Sequence, residues 1–347
     1  MSSASAEAFV YVGNSDSQDI TVLALKSNGD LTPVETVVVP GPNKPGNSLP
    51  MAVSPDKTRL FVGLRNEPFS VTTFTIDGRT GKLTRIGSGP LPASMAYLSV
   101  DGTGKYLASA AYFDHIIAIS SIGSDGVVQT AKQIVATQPN AHCVVFDPTN
   151  RYLLHTSLGG DLVYQQKFDA GTGKLTPNAP PTVSVKAKSG PRHLVFSPNN
   201  KFVYLIGELD GAIHVFSWNA VTGTMNAEMQ VTTSLPEGFS GKPWASDIHL
   251  TPNGKFLYAS ERTTSTLAAF RVDANTGMLS SIGSYPTEKQ PRAFNIDASG
   301  RYLLAVGQLS NSMTSYLIDK TSGKLTMLKD YLMGKNPNWV EIINIRR

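Results

Sequence analysis

The segment GPRHLVFSPNNKFVYLIGELDG, from Gly190 to Gly211, has a guanidinium near one end and a carboxylate near the other. Two apolar runs, Leu194-Val195-Phe196 and Phe202-Val203-Tyr204-Leu205-Ile206, flank a Ser-Pro-Asn-Asn turn, so folding as a hairpin brings Arg192 and Glu208 close. A carboxylate can accept a proton or brace a cation. The planar fork of arginine binds phosphate or carboxylate through two hydrogen bonds. One hairpin cannot distinguish a wet rim from a site; the rest of the chain must do so.

That hairpin is one copy of a repeat. The turn after each short apolar run reads SPDKTRLFVGLR from Ser54, DGTGKYLASAAY from Asp101, DPTNRYLLHTSL from Asp147, SPNNKFVYLIGE from Ser197, TPNGKFLYASER from Thr251 and DASGRYLLAVGQ from Asp297. Successive starts lie 47, 46, 50, 54 and 46 residues apart. Each unit continues with a third alternating segment such as Ile213 to Trp218, then a Thr-Gly turn (DGRTGKLT, AGTGKLT, TGTM, TGML, TSGKLT) and a fourth segment. Four strands in this period make a β-propeller blade. The Thr-Gly-Lys turns complete no phosphate-loop pattern and open no helix, so they read as hairpin turns. Phe9-Val10-Tyr11-Val12-Gly13 matches the second strand of the repeat, and Trp339-Val340-Glu341-Ile342-Ile343 can supply the missing first strand. The expected fold is therefore all-β: one seven-bladed propeller over residues 1–347, its ring closed by a shared first blade, with residues 1–8 flexible. Closure removes the open edges of a linear array.

The alignment also sorts the unusual side chains. Five residues before each turn residue, at the start of the innermost strand, stand Leu49, Ala96, His142, Arg192, Ser246 and Arg292, with Asn338 from the C-terminal half-blade. Eleven residues after it, where the second strand ends, stand Arg65, Tyr112, Leu158, Glu208, Arg262 and Gln308, with Ser15 from the first blade. Antiparallel neighbours place both sets at one mouth of the central channel. Four arginines at one height, opposed by a single glutamate, repel one another and call for an anionic ligand. Asp247, beside Ser246, is the expected carboxylate partner of one arginine, and His115 could reach the mouth from its loop. His155, His193, His214 and His249 sit in strand-like runs and read as structural.

Composition sets the outer limits. Low charge (16%) with 30 Gly and 22 Pro suits a turn-rich β protein. The +4 net charge is scattered, which argues against a nucleic-acid partner. The single cysteine, Cys143, allows no intrachain disulfide and reads as a core residue. No signal peptide and no bilayer-length apolar run is visible, so a cytoplasmic location and no membrane partner are expected. H-E-x-x-H, C-x-x-C, calcium-loop and G-x-S-x-G patterns are all missing, so neither metal nor cofactor is expected.

Four segments carry a resemblance: GPRHLVFSP (190–198), GEL (207–209), PWASDIHLTPNGKFLYASERT (243–263) and EKQPRAFNIDASGRYLLAVGQ (288–308). They resemble the seven-bladed propeller lactonases, and the likeness spans essentially the whole chain. That family includes the bacterial propeller-type 6-phosphogluconolactonases, the nearer match, and the fungal carboxy-cis,cis-muconate lactonising enzyme. The fungal relatives imply a catalytic His, two Arg and a Glu, which fall on His142 (NAHCVVFDP), Arg192 (GPRH), Glu208 (GEL) and Arg262 (SERT). Arg292 and Gln308 match bacterial relatives. The resemblance implies hydrolysis of a sugar lactone, foremost 6-phosphoglucono-1,5-lactone. His142 or Glu208 would be the general base and Arg192 the oxyanion partner. Arg65, Arg262 and Arg292 would hold phosphate, with Tyr112 and Gln308 on sugar hydroxyls. The implied partner is a small anionic lactone, and the chain a monomer or weak homodimer. Alternatives are another aldonolactone, a carboxylated muconate-type lactone handled by a lactonase or cycloisomerase, or a non-enzymatic binding scaffold.

Overall fold

The Ser, Thr or Asp that heads each repeat turn is an acceptor. In six units its side-chain oxygen takes the backbone N–H of the residue five positions on, as in Tyr152 N to Asp147 Oδ1 at 2.8 Å and Phe202 N to Ser197 Oγ at 2.9 Å. That bond closes the first hairpin of each unit, so its two strands leave the turn in a constant register. The computed structural model describes residues 6–42, 44 and 46–344. All 28 described strands fall into seven four-stranded antiparallel sheets, each a blade whose first strand lies innermost.

The first blade is shared between the chain ends. Pro337–Asn344 is its inner strand and pairs antiparallel with Ala6–Asn14, matching Trp339 with Gly13 and Ile343 with Phe9. Ala8, within the stretch expected to be flexible, is paired and 2% exposed; residues 1–5 lie outside the described residues. Consecutive inner strands touch all the way round the ring, and Met51–Val53 meets Pro337–Asn344. The resulting architecture is a seven-bladed β-propeller.

Blades pack through aromatic side chains seated on glycines. Gly223, at φ +70°, turns the outer hairpin of the fifth blade, and a Cβ there would lie 2.0 Å from the Tyr152 ring of the fourth. The same meeting recurs between Phe202 and Gly277 and between Phe256 and Gly323. These are the Thr-Gly turns of the sequence, and their glycines serve inter-blade packing.

One irregularity decides what faces the channel. In the fifth blade Pro191 pairs with Gly207 and Leu194 with Leu205, so Arg192 and His193 together oppose Ile206 alone. The same two-against-one bulge holds His142 and Cys143 opposite Thr156, and Ser246 and Asp247 opposite Ser260. Inner strands Met95–Val100, Pro291–Ile296 and Pro337–Asn344 carry an extra residue at the same height. A bulge leaves backbone donors without ladder partners and re-aims side chains. Here hydroxyls take up the freed donors: Cys143 N donates to Thr156 Oγ1 (3.0 Å) and Asp247 N to Ser260 Oγ (3.1 Å).

Candidate active site

At the bulges, inner-strand neighbours both line one cavity of about 230 Å³: Ala96 with Tyr97, Arg192 with His193, Asn338 with Trp339. His142 and Arg292 complete the upper ring. Strict alternation would have sent one of each pair outward.

Arg192 is the most enclosed of the channel arginines, at 1% exposure. Its Nε donates to Glu208 Oε2 at 2.7 Å, and Nη1 donates to the Ser246 carbonyl at 2.6 Å and to His193 Nε2 at 3.0 Å. Arg262 Nη2 donates to the same Glu208 oxygen at 2.8 Å and also reaches the Ala245 carbonyl; its guanidinium lies 3.9 Å from the centre of the Trp244 ring. Arg65 is held by Ser94 and Ser48 hydroxyls at 3.2 and 2.9 Å. Arg292 Nη1 donates to the Asn47 carbonyl at 3.0 Å. Among the described residues the arginines on the channel thus have one carboxylate partner between them.

The field follows from that arrangement. Burial, then repulsion from Arg192, pulls Arg65 down to about 10 and Arg262 to about 9 against the pull of Glu208, and Arg292 also falls well below its ordinary value. Burial alone would raise Glu208, but Arg192 and Arg262 outweigh it and hold the carboxyl below its usual range. Burial and the nearby cations, Arg192 foremost, push His142 well below 6.5, so its imidazole is neutral. Among the described residues that ring makes no hydrogen bond, and its Nδ1 is buried without a partner. Tyr112 stands edge-on to it, with ring centres 5.9 Å apart.

The family described as lactonase, seven-bladed β-propeller, matches residues 9–342. The chain belongs to that family. It is 41% identical to the 6-phosphogluconolactonase of Serratia proteamaculans (strain 568) over 96% of this chain and 98% of that one. It is 40% identical to the 6-phosphogluconolactonase of Pectobacterium carotovorum subsp. carotovorum (strain PC1) over 83% of this chain and 84% of that one. The solved periplasmic gluconolactonase of Pseudomonas aeruginosa superposes with TM-score 0.89 at 26% identity, over 98% of this chain and 99% of that one.

In this propeller lactonase the structure brings His142, Arg192 and Arg292 onto one cavity, ties Arg192 and Arg262 through Glu208, and sets Arg65 near enough to repel Arg192. Two expected residues take other partners. Gln308 does not line the cavity: Gln290 Nε2 donates to its Oε1 at 3.0 Å and its Nε2 donates to Asn336 Oδ1 at 2.9 Å, which makes it a brace between rim loops. Asp247 lines the cavity but, among the described residues, partners no arginine. It lies deeper, accepting from His193 Nδ1 at 2.8 Å and meeting His249 Nε2 at 3.2 Å. His115 does not line the cavity either; it accepts the Asn140 N–H at 2.9 Å and ties two loops together.

Below the arginines the cavity is lined by Tyr97, His193, His249, Trp339 and Glu341, none of them anticipated there. The repeat alignment held the signal, because positions four and two before each turn residue collect His193, Asp247, Trp339, His249 and Glu341. Burial pushes Glu341 up to about 7 although the Trp339 Nε1–H donates to it at 2.9 Å. His155 and His214 are structural as expected: one is stacked on Tyr164 and the other bonded to Ser189 and Glu228. Cys143 is buried. Among the described residues no group of three His, Cys, Asp or Glu is placed to hold a metal ion, and no helix is long and apolar enough to cross a membrane.

Proposed function

We propose that this chain hydrolyses 6-phosphoglucono-1,5-lactone to 6-phosphogluconate at the channel mouth. It is a sugar-lactone hydrolase of the propeller family, with curated relatives named 6-phosphogluconolactonase at about 40% identity. The observation that carries the phosphorylated substrate is the charge at the mouth: of Arg65, Arg192, Arg262 and Arg292, among the described residues only Arg192 and Arg262 pair with a carboxylate, and both with Glu208. A phosphate dianion supplies the missing countercharge. Arg65, Arg262 and Arg292 hold it, and the Tyr112 hydroxyl faces the sugar.

Hydrolysis then needs a base, an oxyanion partner and a proton for the leaving oxygen. His142 is the base, since it is neutral and unbonded, while Arg192 and Arg262 hold Glu208 as a carboxylate that resists protonation. Its basicity is low in the empty site. A bound phosphate cancels part of the arginine field and raises it. His142 takes a proton from water as the water oxygen bonds to the lactone carbonyl carbon, and the oxyanion that forms is met by Arg192. The ring C–O bond breaks as the imidazolium returns its proton to the departing alkoxide. The new carboxylic acid loses its proton to solvent. Glu208 keeps Arg192 and Arg262 in place. A phosphorylated sugar as substrate supports a cytoplasmic location.

The test is the rate of ring opening of freshly made 6-phosphogluconolactone beside unphosphorylated gluconolactone and a muconolactone. The first should be preferred by about 100-fold, as two charge-assisted hydrogen bonds worth about 1.5 kcal/mol each imply. Equal rates on the first two would overturn the phosphate reading in favour of the substrate named for the Pseudomonas relative.

A further inference from the structure

An unbroken hydrogen-bonded chain descends from the mouth into the cavity, through Glu208, Arg192, His193 and Asp247. Its chemistry has one solution. Arginine only donates, so the His193 Nε2 that faces Arg192 Nη1 at 3.0 Å must be bare. A neutral imidazole with a bare Nε2 carries its proton on Nδ1, and there Asp247 Oδ1 accepts it at 2.8 Å. Asp247 is itself fixed on both oxygens. Oδ1 also takes the Ile248 N–H at 3.0 Å, and Oδ2 takes the Phe294 N–H at 3.3 Å and lies 3.2 Å from His249 Nε2. The His193 ring is wedged edge-on against Tyr97 and His142 and tilted against Trp339, with ring centres 5.1, 5.2 and 6.4 Å away.

Arg192 is therefore oriented by three acceptors on two of its nitrogens: Glu208 on Nε, and Ser246 O and His193 Nε2 on Nη1. Among the described residues Nη2 has no protein partner. We propose that Asp247 and His193 are positioning residues for lactone hydrolysis: Asp247 fixes His193 as the Nδ1–H tautomer, and the bare Nε2 fixes the plane of Arg192, leaving Nη2 for the oxyanion. The task given to Arg192 rests on the function proposed above; the tautomer does not. The arrangement explains why a buried carboxylate stands beneath four arginines without touching one. It acts on Arg192 through a neutral ring, which keeps the guanidinium's charge available to substrate.

Asp247→Asn is the sharp test, because the side chain keeps its shape. Its amide can donate to Nδ1, which moves the imidazole proton to Nε2 and sets donor against donor at Arg192. An interaction made only in the transition state is lost in kcat with KM little changed. A fall in kcat of about 100-fold is expected, the usual cost of a catalytic group misplaced by an ångström. His193→Phe should fall as far. His193→Gln, with an oxygen to offer Arg192 and an NH₂ to offer Asp247, should recover most of the loss, which a merely space-filling role does not predict. Independently of any substrate, long-range ¹H–¹⁵N spectra of the wild-type protein at neutral pH should show His193 protonated at Nδ1 and bare at Nε2. An Nε2–H or doubly protonated His193 overturns the inference, and so does wild-type kcat in folded Asp247→Asn and His193→Phe. A wild-type protein that opens no lactone sinks the proposed function, while the spectrum still decides the tautomer.

Discussion

Arg192 and Glu208, 16 residues apart along the chain, meet at 2.7 Å within one blade at the mouth of the channel, and the same Glu208 oxygen receives Arg262 from the next blade at 2.8 Å. This shared oxygen links two blades and is the local neutraliser for both cations. Glu208→Leu leaves two buried guanidiniums uncompensated and should cost about 3–5 kcal/mol, read from urea unfolding. Glu208→Gln keeps the shape and one acceptor, so it should fold better yet lose kcat by about 100-fold as the two arginines drift. Wild-type turnover in Glu208→Gln would remove Glu208 from the site.

The uncompensated arginines make a second prediction that needs no substrate. Inorganic phosphate should raise the unfolding midpoint above that in chloride of equal ionic strength, because it binds the folded mouth. At one hundred times its dissociation constant the gain is about 2.7 kcal/mol. Arg292→Gln should shrink that gain and raise KM for a phosphorylated lactone by about tenfold or more, the loss of one charge-assisted hydrogen bond. KM for an unphosphorylated lactone should hardly move. Thermal scans in the two salts decide the first claim and paired substrates the second.

Much of this site was legible because each repeat turn is a fixed point in the register. Counting from Asp147, Ser197 and Thr251 reached His142, Arg192, Glu208 and Arg262, and the structure sets these at one mouth. The same counting missed His193 and misassigned Asp247. A strand alternates with period two, so a residue next to Arg192 reads as facing away, and nothing in the sequence announces the extra residue of the bulge. Gln308 was misplaced for another reason. It follows the strand end at Gly307, where the loop residues Gln290 and Asn336 decide what a side chain meets.

Protonation supplies a third prediction. Burial holds His155 down to about 3, burial and Arg192 hold His193 down to about 4, and His142 also lies well below 6.5. As pH falls through 6.5 the unfolded chain protonates these rings and the folded chain does not. The stability they contribute is therefore full above 6.5 and is lost toward pH 4, at about 1.4 kcal/mol per pH unit for each. Glu341, raised to about 7, works the other way: the fold prefers it protonated, so its share is present at low pH and lost as pH rises from 4.5 to 7. His249, raised by Asp247 and Glu341 against burial, loses its share only above 6.5. Three rings against one carboxyl leave a net slope of about 2.7 kcal/mol per pH unit between 6.5 and 4.5. His155→Asn, away from the channel, should remove about half of it, and an unchanged slope would count against a neutral buried His155. The pH profile of kcat/KM should stay flat from 8 down to 6.5 and drop only in acid, since His142 must be neutral to act.

The last prediction separates the frame from the chemistry. Gly223 sits at φ +70°, and a Cβ there would lie 2.0 Å from Tyr152 Cδ1. The Tyr152 ring cannot easily yield, because its hydroxyl donates to the Val221 carbonyl at 2.6 Å and it meets the Trp218 ring edge-on, with ring centres 6.1 Å apart. Gly223→Ala combines a left-handed backbone cost of about 1–2 kcal/mol with overpacking of about 1–3 kcal/mol. A loss of about 2–5 kcal/mol in urea unfolding is expected, with kcat per folded molecule unchanged, since the turn lies at the outer edge of the fourth and fifth blades. A variant as stable as the wild type would show that the ring and turn separate freely. A stable variant with reduced kcat would show that the blade edge is coupled to the mouth.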